Sequence, residues 1–261
     1  MKKTLIALAV ASSAILSGSA FAWESAGTGG NIDFSGTITP EVAQNPWEVK
    51  LSPVVDMGTI TAKPGETGFA FKLSQDKGLL GIRTVLNTAF TGNTGITPQI
   101  TINNTTDVAS LDKGGAGVLT ISLNATNAEG DKIGTFTFSP RVGAEASVTK
   151  DGVSSRHSLY ASQAGDAFYG GLKTTTGVSS YPYQYAQKFD PEYVANYTDQ
   201  GSSEQTLQKS KMAFNDTGAT YSAFYYLGVD TNTAFKLNLD KPVSSDTVTW
   251  KASMPVTIAY Q

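Results

Sequence analysis

The chain has 261 residues, 40% hydrophobic and only 16% charged, with a formal charge of −3, one histidine and no cysteine. That length can bury a real core, while a mildly acidic balance without basic runs argues against nucleic acid or an anionic membrane surface as a partner. The lack of cysteine excludes disulfides, thiol chemistry and Cys–zinc sites, and 26 Gly with 11 Tyr and 12 Phe suit pleated strands joined by tight turns.

Residues 1–22 have the form of a secretory signal: Lys2 and Lys3, an apolar run from Leu5 to Leu16, and Ala20-Phe21-Ala22 as an A-x-A cleavage site. The run is too short to span a membrane. Cleavage is expected between Ala22 and Trp23, which would remove two lysines and no acids, leaving 239 residues and a charge of −5. Residues 23–39 then form an arm: WESAGTGG, followed by one alternating strand, NIDFSGTIT. Strand parity puts Ile32, Phe34, Gly36 and Ile38 on one face. No hairpin partner follows it in the sequence.

Residues 40–261 are expected to form a β domain with an insertion around 145–215. Short runs with a period of two recur between turn signals: WEVKL (47–51), GFAFKL (68–73) and PQITI (98–102). VLTISL (118–123) and IGTFTF (133–138) are spaced as a hairpin with a longer loop. A calcium loop there would need more oxygen ligands than Asn127, Glu129 and Asp131 supply, so a plain surface turn is expected. YSAFYYLGV (221–229) and AFKLNL (234–239) follow. In the last strand Val248, Trp250, Ala252, Met254, Val256, Ile258 and Tyr260 share one face and mostly polar residues the other. Pro255 cannot donate to a ladder, which implies an edge strand or a bulge.

Between 145 and 215 the pattern changes. SSYPYQYAQKFDPEYVANYTDQ concentrates Tyr181, Tyr183, Tyr185, Tyr193 and Tyr197, and SSEQTLQKSKMAF reads as a short helix capped by Ser202 or Ser203. The tyrosines are candidates for sugar or receptor contact, since exposed aromatics often mark binding surfaces, with packing of the insertion as the alternative.

Catalytic signals are absent. His157 lies in SSRHSLYAS, which has no nucleophile-elbow pattern, so a surface or strand-end role is expected. Asp190, Glu192, Asp199 and Glu204 offer only the carboxylate pairs that any acidic loop offers. GGAGV at Gly114 lacks the lysine of a phosphate loop. No cofactor, no metal and no enzymatic activity are expected.

The chain resembles the FaeG-like subunits, major or minor, of the kappa-class chaperone–usher fimbriae of enterotoxigenic Escherichia coli. The residues that carry the likeness are Trp23 as first mature residue, GNIDFSGTIT (30–39), LLGIRT (79–84), NAEGDKIG (127–134), FYGGL (168–172), YSAFYYLGV (221–229) and Trp250 followed by the terminal VTIAYQ. The likeness is weakest between Glu145 and Lys211. It implies an all-β fold, an incomplete immunoglobulin-like sandwich with a partly helical insertion, whose missing strand leaves an apolar groove beside the C-terminal strand. Met254, Val256, Ile258 and Tyr260 would face that groove. A periplasmic chaperone would fill it first, and at the outer-membrane usher the N-terminal arm of the next subunit, with Ile32, Phe34, Gly36 and Ile38, would replace the chaperone. The implied place is the cell-surface fimbrium, reached through the periplasm, with adhesion to a host glycoconjugate as an added role of the insertion.

The physical reading agrees: an unpaired edge beside an apolar cleft is an aggregation hazard until a strand covers it. Because donor and groove are different surfaces, the contact is head-to-tail and grows an open filament. Two alternatives stand beside this one. An outer-membrane β-barrel would need eight or so alternating segments of about ten residues, and only the final strand is that long. A secreted carbohydrate-binding protein or hydrolase lacks a catalytic signal.

Overall fold

The computed structural model describes residues 34, 36, 44–52, 54–103, 116–203 and 207–261. The expected signal segment and cleavage point, together with Ile32, Ile38 and Glu204, lie outside them. Met1–Glu41 and Val42–Gln261 are separate compact units, and the fold below is that of the second.

Its strands, in chain order, are β1 (Trp47–Leu51), β2 (Gly68–Phe71), β3 (Lys77–Thr84), β4 (Phe90–Thr91), β5 (Pro98–Ile102), β6 (Ile121–Thr126) and β7 (Lys132–Phe138). They continue with β8 (Arg141–Lys150), β9 (Val153–Leu159), β10 (Gln208–Ser210), β11 (Ala219–Val229), β12 (Phe235–Leu239), β13 (Lys251–Ala252) and β14 (Val256–Tyr260). The helix α1 (Pro182–Phe189) and a single 3-10 turn (Pro191–Val194) interrupt them. The larger sheet runs β1-β3-β11-β8-β9-β10, with β4 also on β11; the smaller runs β13-β6-β7-β12-β2, and β14 pairs with β5.

The two sheets face each other across a filled apolar core. Leu80, Ile82, Ala144, Ala146, Ala223, Tyr225 and Leu227 come from the larger sheet, and Ile121, Leu123, Phe136, Phe138, Phe235 and Leu237 from the smaller. This is an all-β sandwich, not the single closed sheet that a barrel requires. β1, β5 and β7 lie where the alternation places them, while β6 begins at Ile121, three residues after the expected start at Val118, and runs on to Thr126. Asn127 closes that hairpin with its own side chain, Oδ1 accepting from the Asp131 amide at 2.8 Å.

A second cluster covers the outer face of the larger sheet. Ala186, Phe189, Tyr193 and Val194 pack on Phe224 and Tyr226 of β11. The helix follows from PYQYAQKF: Pro182 opens it with a preset φ, and Pro182, Ala186 and Phe189 recur at helical spacing as its buried stripe. The glycines of LLGIRT and its neighbour explain how the lobe sits so close. The Tyr193 ring lies flat on β3, where a Cβ at Gly78 or Gly81 would collide with it; only a bare backbone lets the aromatic reach the sheet.

The structure corrects several expectations. SSEQTLQKSKMAF is not a helix in its described part: Gln208–Ser210 pairs parallel with β9, because the open edge of β9 offers a ladder that outweighs weak helical propensity. Residues 145–150 and 153–159, within the expected insertion, belong to β8 and β9 of the larger sheet. His157 is not at a strand end. It lies inside β9, its Nε2 hydrogen-bonded with Ser155 Oγ at 2.8 Å and its Nδ1 with Ser210 Oγ at 2.7 Å, so it ties β9 to β10. The final strand is two strands: β13 pairs with β6, and β14 with β5, the chain changing sheets at 253–255.

Candidate functional site

Among the described residues the sandwich is open along one flank. β1 is the end strand of the larger sheet and β13 the end strand of the smaller. Between them lies a cleft of about 810 Å³. Its floor is Leu79, Leu123, Phe136, Phe138 and Phe235; one wall is Leu51, Ser52 and 54–58, the other Trp250–Met254 with Val256. A further cavity of about 480 Å³ meets it at Gly58 and Trp250 and continues the trough past Ile60 and Val248.

Each wall has a local cause. In the register between β3 and β11, Leu227 pairs with Leu80 and the next residue, Gly228, with Gly78, leaving Leu79 as the extra residue of a bulge. The bulge turns Leu79 as well as Leu80 toward the interior. On the far wall every even residue from Trp250 to Tyr260 is half-buried and every odd one exposed. The even side chains pack on the core, yet none is fully covered. Trp250 anchors the strand, its ring 5.0 Å from Phe136 and 5.7 Å from Phe71. Opposite, Leu51 is 53% and Val54 72% exposed. Apolar side chains facing each other across the cleft, half exposed among the described residues, form a surface of the kind that marks binding sites.

The backbone shows the same gap. Thr97 and Gln261 exchange both their amide hydrogen bonds, and the Asn103 amide donates to the Pro255 carbonyl at 2.8 Å. In an antiparallel ladder that phase directs the amides and carbonyls of Thr257 and Ala259 to β5, and those of Val256, Ile258 and Tyr260 to the other edge. Among the described residues, β14 pairs with β5 alone. Pro255, with no N–H, sits where that ladder ends.

Met254 and Val256 therefore line the cleft, while Ile258 and Tyr260 continue the same face beyond it, packed on the core. Of the arm residues, Phe34 is 94% exposed and nothing lies within 4 Å of a Cβ built on Gly36.

The five tyrosines are not one surface. Tyr193 is buried under the lobe, and Tyr183, Tyr185 and Tyr197 are partly buried against the same cluster. The Tyr197 hydroxyl donates to Glu145 Oε1 at 2.9 Å, an oxygen that also takes Arg156 Nε at 2.9 Å and Nη2 at 2.6 Å. Burial, with the Glu145 carboxylate beside it, holds the Tyr197 phenol far above its ordinary pKa, so it stays a donor. Tyr181 alone of the five is exposed. The acids of the lobe are also engaged: Asp190 and Glu192 both meet Lys50, and Asp199 accepts from the Gly201 amide. No cluster of metal-ligating side chains occurs among the described residues.

The wall residues 54–58 escape a reading of the sequence, because irregular chain has no period. Their one signal is apolar residues, Val54, Val55 and Met57, in a stretch that matches neither template.

A family profile described as "Fimbrial, major and minor subunit", that of the K88 fimbriae, matches residues 1–261. The chain is 29% identical over 301 residues to the K88 fimbrial protein AB of Escherichia coli, and 28% over 299 residues to the K88 fimbrial protein AD of the same species. Both alignments cover the whole of each chain.

Proposed function

The chain belongs to the K88 family of major and minor fimbrial subunits, structural proteins of the cell surface and not enzymes, and from that premise we propose that it is built into its fimbrium by strand donation. The cleft between β1 and β13 receives the N-terminal arm of a second copy or of another fimbrial subunit, and its own arm, 30–39, enters the cleft of the next. A periplasmic chaperone holds the cleft before the usher hands it to the arm.

The observation that carries this reading is the half-covered apolar face from Trp250 to Tyr260, bordered by a strand edge with no partner among the described residues. Ten extended residues of the arm would reach about 33 Å. Head-to-tail filling of such a cleft lengthens a filament without closing a ring. For contact with a host glycoconjugate the lobe has Tyr181 to offer, its other four tyrosines being engaged in packing.

Val256→Asp tests the cleft. It places a carboxylate where strand addition would bury it, at a cost of several kcal/mol. Cells carrying it are expected to show no filaments by electron microscopy, while Thr257→Asp, on the outward face of the same strand, leaves them intact. Normal filament numbers with Val256→Asp, or equal loss with both variants, would count against this cleft as the assembly site.

A further inference from the structure

The wall of the cleft has little of its own to hold it. β1 is an end strand hydrogen-bonded to β3, and beyond Ser52, whose amide donates to the Leu79 carbonyl at 2.9 Å, the wall is irregular. The outward face of β1, however, is gripped by the single turn Asp190–Tyr193. Lys50 Nζ lies 2.6 Å from Asp190 Oδ2 and 2.6 Å from Glu192 Oε2. Arg83, the partner of Glu48 in the β1–β3 register, ion-pairs with it and donates to the Glu192 carbonyl. Tyr193 lies on Gly78 and Gly81 between these contacts. A cavity of about 580 Å³ has Leu51, Val54 and Val55 on one side and Phe189, Asp190 and Tyr193 on the other, so the turn faces the cleft wall across it and meets the wall's strand through Lys50.

We propose that the turn Asp190–Tyr193 is a latch that positions the cleft wall through Lys50, coupling the docking of the lobe to occupancy of the cleft. The proposal rests on the strand-donation reading. A single exposed ion pair is worth little. Here one ammonium is shared by two carboxylates held on one turn, and the same turn is fixed by Arg83 and Tyr193, so the contacts act together on a strand with one neighbour among the described residues. Coupling of this kind is reciprocal: if the latch tightens the cleft on its occupant, the occupant tightens the latch.

The experiment uses the mature chain with Phe34→Asp, so that copies do not compete, and a labelled peptide of residues 30–39 as probe. Lys50→Gln is expected to speed peptide dissociation about 3–5-fold at low salt. Lys50→Arg restores the slow rate. Asp190→Asn with Glu192→Gln matches Lys50→Gln, and the triple variant adds nothing further, as for residues acting as one unit. The difference closes near 1 M salt, where the screening length falls to about 3 Å. Bound peptide slows hydrogen exchange of the amides of Tyr193–Tyr197 in the Lys50 chain and not in Lys50→Gln. Equal dissociation rates for Lys50→Gln and its parent, or a difference indifferent to salt and not rescued by arginine, would overturn the latch. Failure of the peptide to bind the parent chain at all would overturn the strand-donation reading, and the latch with it.

Discussion

Replacing Phe34 by Asp is expected to abolish filament assembly while leaving Trp47–Gln261 folded. Phe34 is 94% exposed in the single chain, so the body of the subunit has no packing to lose. In the cleft of a neighbour the same ring would be an anchor worth ~1.5–3 kcal/mol. A carboxylate there would forfeit that and add a desolvation cost of several kcal/mol. Together they weaken the contact by roughly 10³-fold or more, since each 1.4 kcal/mol is about tenfold. Electron microscopy should show bare cells, and the circular dichroism of the purified chain should be unchanged. If the Phe34→Asp chain fails to fold even with chaperone present, the strand belongs to its own domain, and donation is the wrong account.

A large stability loss from a single side chain is expected at Arg156. Glu145 is fully buried at the middle of β8, with three donors on Oε1 and none on Oε2. Arg156→Met would leave that carboxylate with the Tyr197 hydroxyl alone among these donors, costing about 3–5 kcal/mol. The loss should fall on the lobe first. Tyr197 begins a polar seam in which Ser147 Oγ donates to the Thr198 carbonyl at 2.7 Å and Gln200 bonds Ser147 and Thr220. Adding Glu145→Leu to Arg156→Met should recover most of the loss, since removing both charges removes the unpaired one. Urea unfolding reads both. A midpoint shift for Arg156→Met no larger than for the exposed Lys209→Met would show that the pair carries little.

What the sequence makes legible is what alternates. β1, β5, β12 and the last stripe each alternate apolar and polar residues, and a period of two marks them, although on β1 only Trp47 of the apolar face is buried. β8 escapes because both its faces are covered, the outer one by the lobe, and β9 because Ser154–His157 are half-buried in succession with no alternation. RVGAEASVTK therefore carries small residues and a glutamate whose arginine partner sits in the next strand, and neither template fits. The break at 253–255 is invisible for a different reason: parity runs unchanged through a change of sheet, and only Pro255 marks it. Among the tyrosines, composition could not separate Tyr181 from the other four. That depended on Gly78 and Gly81, more than a hundred residues earlier, leaving room for Tyr193.

The absence of native cysteine allows the donated strand to be located by introduced pairs, which bond only when their Cβ atoms come within about 3.5–4.5 Å. Phe34→Cys is combined in turn with cysteine at the inward positions Ala252, Met254 and Val256, and at the outward positions Lys251, Ser253 and Thr257. Surface material from each strain is run on a non-reducing gel. A ladder of covalent dimers, trimers and higher species from at least one inward position, and from no outward one, is the outcome of strand donation into this cleft. Monomer from all three inward positions in cells that still carry filaments, or ladders of equal strength from the outward set, would contradict it.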